Sequence, residues 1–405
     1  MRLARSAHAT ARTLACALAL LLAASPALPD EAAHLVGNER PQELIDSFGG
    51  ALERRLPHGT AARGAQALPL PVAAAPADFS YAHEGRRLRA ADYPDRQRVT
   101  GLLVVKDGAI VLEQYRHGRG PHTRFLSASV AKSVIGLLVG IAVQEGAIKS
   151  LDDPARAYVP ALAGNPYGET PVRELLRMSS GVAFRENYDN ADDLARLIRD
   201  TIGQRSPGGP AVLLPYRERR VPPGRLFYYA SADTQALALV LRGATGMPVA
   251  EYLGTRLWGP MGAEDTASFL VDAAGQEAGY AFMHARLRDF ARLGWLLAND
   301  GRIGERQLVP AQFLRGATQV SGPHAQPGVA SAYFGYGEHF WIFPGTRRQF
   351  AMLGVRGQAV FVDPELKLVL VQTAVWNTPG DRVARAELLA LWRGLVAHYG
   401  GTPPP

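Results

Sequence analysis

Cysteine and lysine are nearly missing from this chain of 405 residues. The single cysteine, Cys16, lies in an N-terminal stretch with the features of a removable leader. The processed chain therefore has no thiol for a disulfide frame, a Cys₄ metal site or a cysteine nucleophile. Lysine occurs only at 106, 132, 149 and 367, and the other forty of the 44 basic residues are arginine. Motifs of several common chemistries are absent too. No Gly-x-Ser-x-Gly elbow, Walker loop or dinucleotide glycine loop occurs, and His83-Glu84 has no second histidine at zincin spacing. His117 and His122 flank a polar Gly-Arg-Gly-Pro loop and read as exposed. No metal site and no cofactor are implied. The formal charge of +7 includes three leader arginines, and the remaining arginines are scattered, so a nucleic-acid partner is not expected.

Arg2, Arg5 and Arg12 form a basic start, Leu14–Ala24 an apolar core, and Ser25-Pro26-Ala27 a small-residue cleavage site. Residues 1–29 thus read as a signal peptide, and a bacterial periplasmic or secreted protein is expected. The apolar run is shorter than the roughly 20 residues a membrane span needs, so no integral span is expected in the mature chain. Cys16 precedes the apolar stretch instead of following it, which argues against lipoprotein processing.

Residues 30–97 form an Ala/Pro-rich extension with one helical patch near Pro41–Leu56. The run from Ala61 to Pro76 reads as a linker or a chain draped over the surface. Regular structure is expected from Val99, where two β-rich runs flank Asp107-Gly108 as a hairpin. A helix follows from Ser129 to about Glu145, stopped by Gly146. From Leu151 to about Thr266 the pattern is helices and loops, and Arg286–Asn299 is a strongly amphipathic helix. Strands are expected at Gly337–Phe343, Arg348–Leu353, Gln358–Val362 and Leu366–Ala374, and a last helix at Arg382–His398. Strands near both ends imply one α/β (α+β) layer built from both termini. An inserted helical region of about 151–275 lies within a 98–405 domain. The sequence has no internal repeat.

Of the four lysines, Lys132 alone sits at the head of an apolar helix, in Ser-Val-Ala-Lys-Ser-Val-Ile-Gly-Leu-Leu-Val-Gly. Three residues separate it from Ser129, which puts both side chains on one helix face. A desolvated lysine can lose its proton and act as a base, which arginine cannot. Ser129 and Lys132 are therefore a candidate nucleophile and base, with helix N-terminal N–H groups available for an oxyanion. A phenol beside a hydroxyl is a candidate proton shuttle. Two segments offer one, Tyr229-Ala-Ser231 and Tyr188-Asp189-Asn190, and spacing does not choose between them.

Ser129-Val-Ala-Lys132, Gly146-Ala-Ile-Lys-Ser-Leu-Asp-Asp-Pro and Leu175-Leu-Arg-Met-Ser-Ser-Gly181 resemble the serine β-lactamase and penicillin-binding protein superfamily, in its class C-like branch. Pro223-Gly-Arg-Leu-Phe-Tyr-Tyr229-Ala-Ser231 is similar to that branch's second motif and selects Tyr229. Gly181-Val-Ala-Phe-Arg-Glu-Asn-Tyr188 and Leu353-Gly-Val-Arg-Gly-Gln358 resemble the 6-aminohexanoate-dimer hydrolases and related carboxylesterases. The resemblance implies an antiparallel sheet flanked by helices, and acyl transfer to a small ester, amide or peptide substrate through Ser129, Lys132 and Tyr229. It places Ser231 in the centre, N–H groups of Ser129 and of Gly354–Val355 at the oxyanion, and Tyr188 near the leaving group. The third-motif lysine of β-lactamases is absent. Arg356 is the candidate partial replacement for binding a substrate carboxylate, a solvent-facing Arg356 is the alternative, and Gln358 is a further substrate or oxyanion candidate. A D-alanyl peptidase, a weak β-lactamase, or an inactive binding protein of the same fold are the other readings.

Overall fold

The computed structural model describes residues 40–74 and 77–405, so the expected signal peptide lies outside the described residues. Its centre is a seven-stranded antiparallel sheet. In spatial order the strands are Gly335–Tyr336, Trp341–Ile342, Phe350–Gly354, Gln358–Asp363, Leu368–Ala374, Val99–Lys106 and Ala109–Tyr115. The last C-terminal strand pairs with Val99–Lys106, from Leu368 opposite Lys106 to Gln372 opposite Leu102. Both ends of the chain therefore build one sheet, as expected. Asp107 and Gly108 both take positive φ, 50° and 81°, the geometry that lets a two-residue turn follow the strand twist.

Side-chain alternation sorts the sheet into two cores. Leu103, Val105, Met352, Val360 and Val369 face the Val130–Gln144 and Leu287–Ala298 helices. Leu102, Val104, Ala351, Phe361 and Leu370 face the C-terminal helix Arg382–His398, where Phe361 meets Trp392 at 5.5 Å. A central strand covered on both faces must be apolar throughout, which explains the unbroken Leu-Leu-Val-Val run. Among the described residues no helix is long and apolar enough to cross a membrane.

Two expectations change. Regular structure starts well before Val99: His58–Ala61 pairs with Ala267–Leu270 in a second, four-stranded sheet, and Ser80–His83 pairs with Arg86–Arg89. The Pro41–Leu56 patch is helical but kinked at Gly49-Gly50, and it buries Leu44, Phe48 and Leu52. The stretch after Ala61 does run over the surface, pinned by buried Leu70 and by the Leu68 N–H to the Gly262 carbonyl at 2.8 Å. Nor is Gly337–Phe343 one strand. His339 takes a positive φ of 64°, and the chain turns between Tyr336 and Trp341. The turn lets the His339 ring sink among the helices, bonded to the Leu176 carbonyl at 2.7 Å and to Thr234 at 3.0 Å. Burial drives its pKa down to about 3, so the ring is neutral.

Candidate active site

Ser129 stands immediately before the Val130–Gln144 helix, whose only charged residue is Lys132. The remainder of that helix is apolar enough to be buried on nearly every side, so Lys132 is carried into the interior with it. Its Nζ donates to Ser129 Oγ at 3.1 Å, to Ser231 Oγ at 3.0 Å and to the Tyr280 carbonyl at 2.7 Å. Three acceptors satisfy an ammonium, but loss of water still disfavours the charge. Burial lowers the Lys132 pKa to about 8, against the charge of Glu186, which raises it. Ala128, just before Ser129, holds a positive φ of 44°, a strained geometry for alanine that tight packing sustains.

Ser231 opens the Ser231–Thr245 helix, with Tyr229 two residues upstream on the extended lead-in. The Tyr229 ring stacks on Trp341 at 5.4 Å, lies 5.1 Å from Lys132 Nζ, and its phenol reaches the Ser129 side chain. Burial, then the charge of Glu186, hold its pKa well above the ordinary range. The resting phenol therefore keeps its proton and acts as a donor, not as a ready-made base. The rival Tyr188 also reaches the cavity wall, but its hydroxyl is turned to Glu186 Oε1 at 2.9 Å.

Glu186 is the residue the sequence reading passed over. Its carboxylate accepts the Ser231 N–H at 2.6 Å and Ser231 Oγ–H at 3.0 Å, beside the Tyr188 bond. Ser231 Oγ thus links Glu186 to Lys132, and a chain of contacts runs Glu186, Ser231, Lys132, Ser129. Burial pushes the Glu186 carboxyl up, while the Lys132 charge pulls it back down. The one sequence signal was an acid two residues before Tyr188. Asp192 anchors this loop, accepting from the Asn187, Tyr188 and Ala195 N–H groups at 2.6, 2.8 and 2.8 Å. Asp233, buried two residues after Ser231 in the same helix, was missed as well. It accepts from Ser180 Oγ at 2.8 Å, and burial pushes its pKa up to about 8.

The third motif closes the site differently from expectation. The Phe350–Gly354 strand ends against the turn that precedes Ser129. A Cβ on Gly354 would lie 2.9 Å from both Ala128 Cβ and the Ser127 carbonyl oxygen, so glycine lets the strand come this close. Gly354 and Val355 line the cavity with Ser129. Arg356 does not, and it is not solvent-facing either. It is fully buried with a positive φ of 58°, which turns its guanidinium away from Ser129 to the Trp376 and Asn377 carbonyls, both at 3.0 Å. The next residue, Gly357, has φ 92° and a Cβ there would strike the Trp376 ring at 2.5 Å. Gln358 is structural in the same way, donating to the Val355 and Ala374 carbonyls at 3.1 and 2.7 Å. Arg356, the expected carboxylate binder, and Gln358, the further substrate or oxyanion candidate, instead fasten the turn to the segment before the last helix. Among the described residues no cluster of three or more His, Cys, Asp or Glu side chains is placed to hold a metal.

Ser129, Glu186, Tyr188 and Tyr229 share a cavity of about 250 Å³ walled also by Phe334, Trp341 and Leu353. It is smaller than the roughly 300–1,000 Å³ of drug-sized ligand sites. Comparison with known proteins agrees with the architecture. The chain is 29% identical over 292 residues to the 6-aminohexanoate-dimer hydrolase of Paenarthrobacter ureafaciens, covering 69% of this chain and 74% of that one. A Bacillus anthracis structure named provisionally for the same activity superposes with a TM-score of 0.81 at 22% identity, over 90% of this chain and 96% of its own. EstCE1, a hydrolase with promiscuous acyltransferase activity, matches with a TM-score of 0.59 at 18% identity, over 75% and 95%. The model of the beta-lactamase family matches residues 87–392, three quarters of the sequence, and the chain belongs to that family.

Proposed function

We propose that this hydrolase cleaves a small ester or amide through an acyl-enzyme on Ser129, and that residues 1–29 export it. The observation that carries the reading is the buried Lys132 amine, 3.1 Å from Ser129 Oγ with its pKa drawn down to about 8. Neutral Lys132 takes the proton from Ser129 Oγ as the oxygen attacks the substrate carbonyl. The N–H groups of Ser129 and Val355 hold the developing oxyanion. Tyr229, which keeps its phenolic proton, passes it to the departing alcohol or amine and is reprotonated from Lys132. Water then attacks the acyl-enzyme, and the same groups return the proton to Ser129. Glu186 holds Ser231 in place, and its charge raises the Lys132 pKa against the effect of burial, setting the pH at which the neutral amine forms.

A fluorophosphonate probe should label the wild type and fail to label Ser129→Ala. Absence of label on a folded wild-type protein would instead favour the inactive binding reading. The loss of a third-motif cation beside Ser129 weighs against β-lactams, because both Arg356 and Gln358 are spent on the turn. Hydrolysis of p-nitrophenyl butyrate should therefore outpace that of nitrocefin, and rapid nitrocefin turnover would restore the lactamase or D-alanyl peptidase alternative. The 6-aminohexanoate dimer belongs in the same panel, given the Paenarthrobacter relative.

A further inference from the structure

A second cavity, of about 440 Å³, lies where the kinked helical patch of residues 41–55 meets the loop leading into the Arg124–Leu126 strand. Arg54, Arg119 and Arg124, from two distant stretches of sequence, converge on its wall beside His122, and Glu53 is the one carboxylate among them. Arg124 is gripped by that carboxylate through Nε at 2.8 Å and Nη2 at 2.5 Å, and Arg119 Nη2 donates to Asp46 at 2.7 Å. Asp265, 3.7 Å from Arg124, is engaged more closely by Arg286 at 2.8 Å. Arg54 makes no ion pair among the described residues. Three guanidiniums against two carboxylates leave one positive charge over. Arg119 is moreover seated at a cost. A Cβ on Gly49 would lie 2.6 Å from its Nη1, so a side chain there would push the guanidinium out of its place. Its Nε is buried without a partner. Unused donors on a half-dehydrated cation cost stability, and an oxyanion that accepts from such a cluster recovers part of it.

We propose that this cavity is a phosphate-binding site, separate from the Ser129 centre, in which Arg54 and Arg119 hold the phosphate group. A hollow ringed by guanidiniums offers donors from several directions, which suits a tetrahedral oxyanion, whereas a planar carboxylate matches a single fork. Walls of one dominant sign also concentrate counter-ions. The bound group would bridge the N-terminal helical patch, which carries Arg54, to the segment that carries Arg119 and runs through Arg124–Leu126 to Ser129. The site does not depend on the reaction assigned to Ser129.

Calorimetric titration of the full chain at constant ionic strength tests this with three probes, inorganic phosphate, methyl phosphate and acetate. Both phosphates should bind saturably and acetate at least tenfold more weakly. Arg54→Gln, which breaks no ion pair, should weaken phosphate about tenfold, the scale of one charge-assisted hydrogen bond. Arg54→Lys, which keeps the charge, should retain part of the affinity and so separates loss of the cation from misfolding. Arg385→Gln, on the wall of the Ser129 cavity, should bind phosphate as the wild type does, which places the anion in the second cavity. Tighter methyl phosphate marks an ester as the natural occupant, and tighter inorganic phosphate marks the free ion. No saturable binding of either phosphate, acetate binding as tightly, or an affinity that survives Arg54→Gln and falls in Arg385→Gln overturns the proposal.

Discussion

A lysine amine held near pKa 8 is useful as a base only if it stays close to its serine and out of water. Lys132→Arg preserves charge but removes the base. We expect kcat to fall by about 10²–10⁴-fold, the usual weight of general-base catalysis, with an unchanged circular dichroism spectrum. Near-normal rates would refute the role. The pH dependence has a definite sign. The Lys132 pKa is lowered from its ordinary value, so the active neutral form accumulates as pH rises through about 8, and kcat/KM should climb over that window. Because the Glu186 charge raises the Lys132 pKa, Glu186→Gln should shift this limb toward lower pH. A limb that stays in place would remove Glu186 from the electrostatics of the site.

At the scale of elements, the site is a meeting of three ends. The head of the Val130–Gln144 helix brings Ser129 and Lys132, the head of the Ser231–Thr245 helix brings Tyr229 and Ser231, and the Phe350–Gly354 strand closes on both. The tightest of these junctions is Gly354. Gly354→Ala pushes a methyl into Ala128 and the Ser127 carbonyl, and either the strand or the nucleophile turn must retreat. Overpacking of this kind costs about 1–3 kcal/mol, and displacement at the oxyanion position should reduce kcat more than KM. Urea unfolding and steady-state kinetics read the two effects separately. Much of this was legible beforehand. The Ser129–Glu145 helix, the Asp107-Gly108 hairpin and the Arg382–His398 helix follow from local periodicity and turn chemistry. The expected Gly337–Phe343 strand is reduced to Trp341–Ile342, because an apolar run does not reveal that His339 takes a positive φ and buries its ring.

For the whole molecule, the N-terminal segment is part of the folded body. His58–Ala61 completes a sheet with Ala267–Leu270, and Phe48 is buried beneath it in the same core as the nucleophile helix. Phe48→Ala should therefore destabilise the entire protein by about 3–5 kcal/mol, read as a lower urea midpoint. A midpoint within error of wild type would mark the segment as an appendage. Glu387 ties the layers similarly, accepting from Tyr81 at 2.6 Å and Arg96 at 2.8 Å, residues 306 and 291 positions away in the sequence.

Composition and spacing alone determined that one lysine differed from the rest, that it lay one turn from a serine, and that strands at both ends enclosed a helical insert. Those are local facts, set by backbone periodicity and by the chemistry of single side chains. Tertiary structure decided the partners. Glu186 joins the centre because a loop brings its carboxylate onto Ser231, and Arg356 leaves it because a positive φ turns its guanidinium to the Trp376 and Asn377 carbonyls. Arg385 lines the same cavity as Ser129 because the final helix packs against the sheet that carries the third motif. Sequence spacing carries no information about such distances, since burial and long-range packing set the environment that lowers the pKa of an amine.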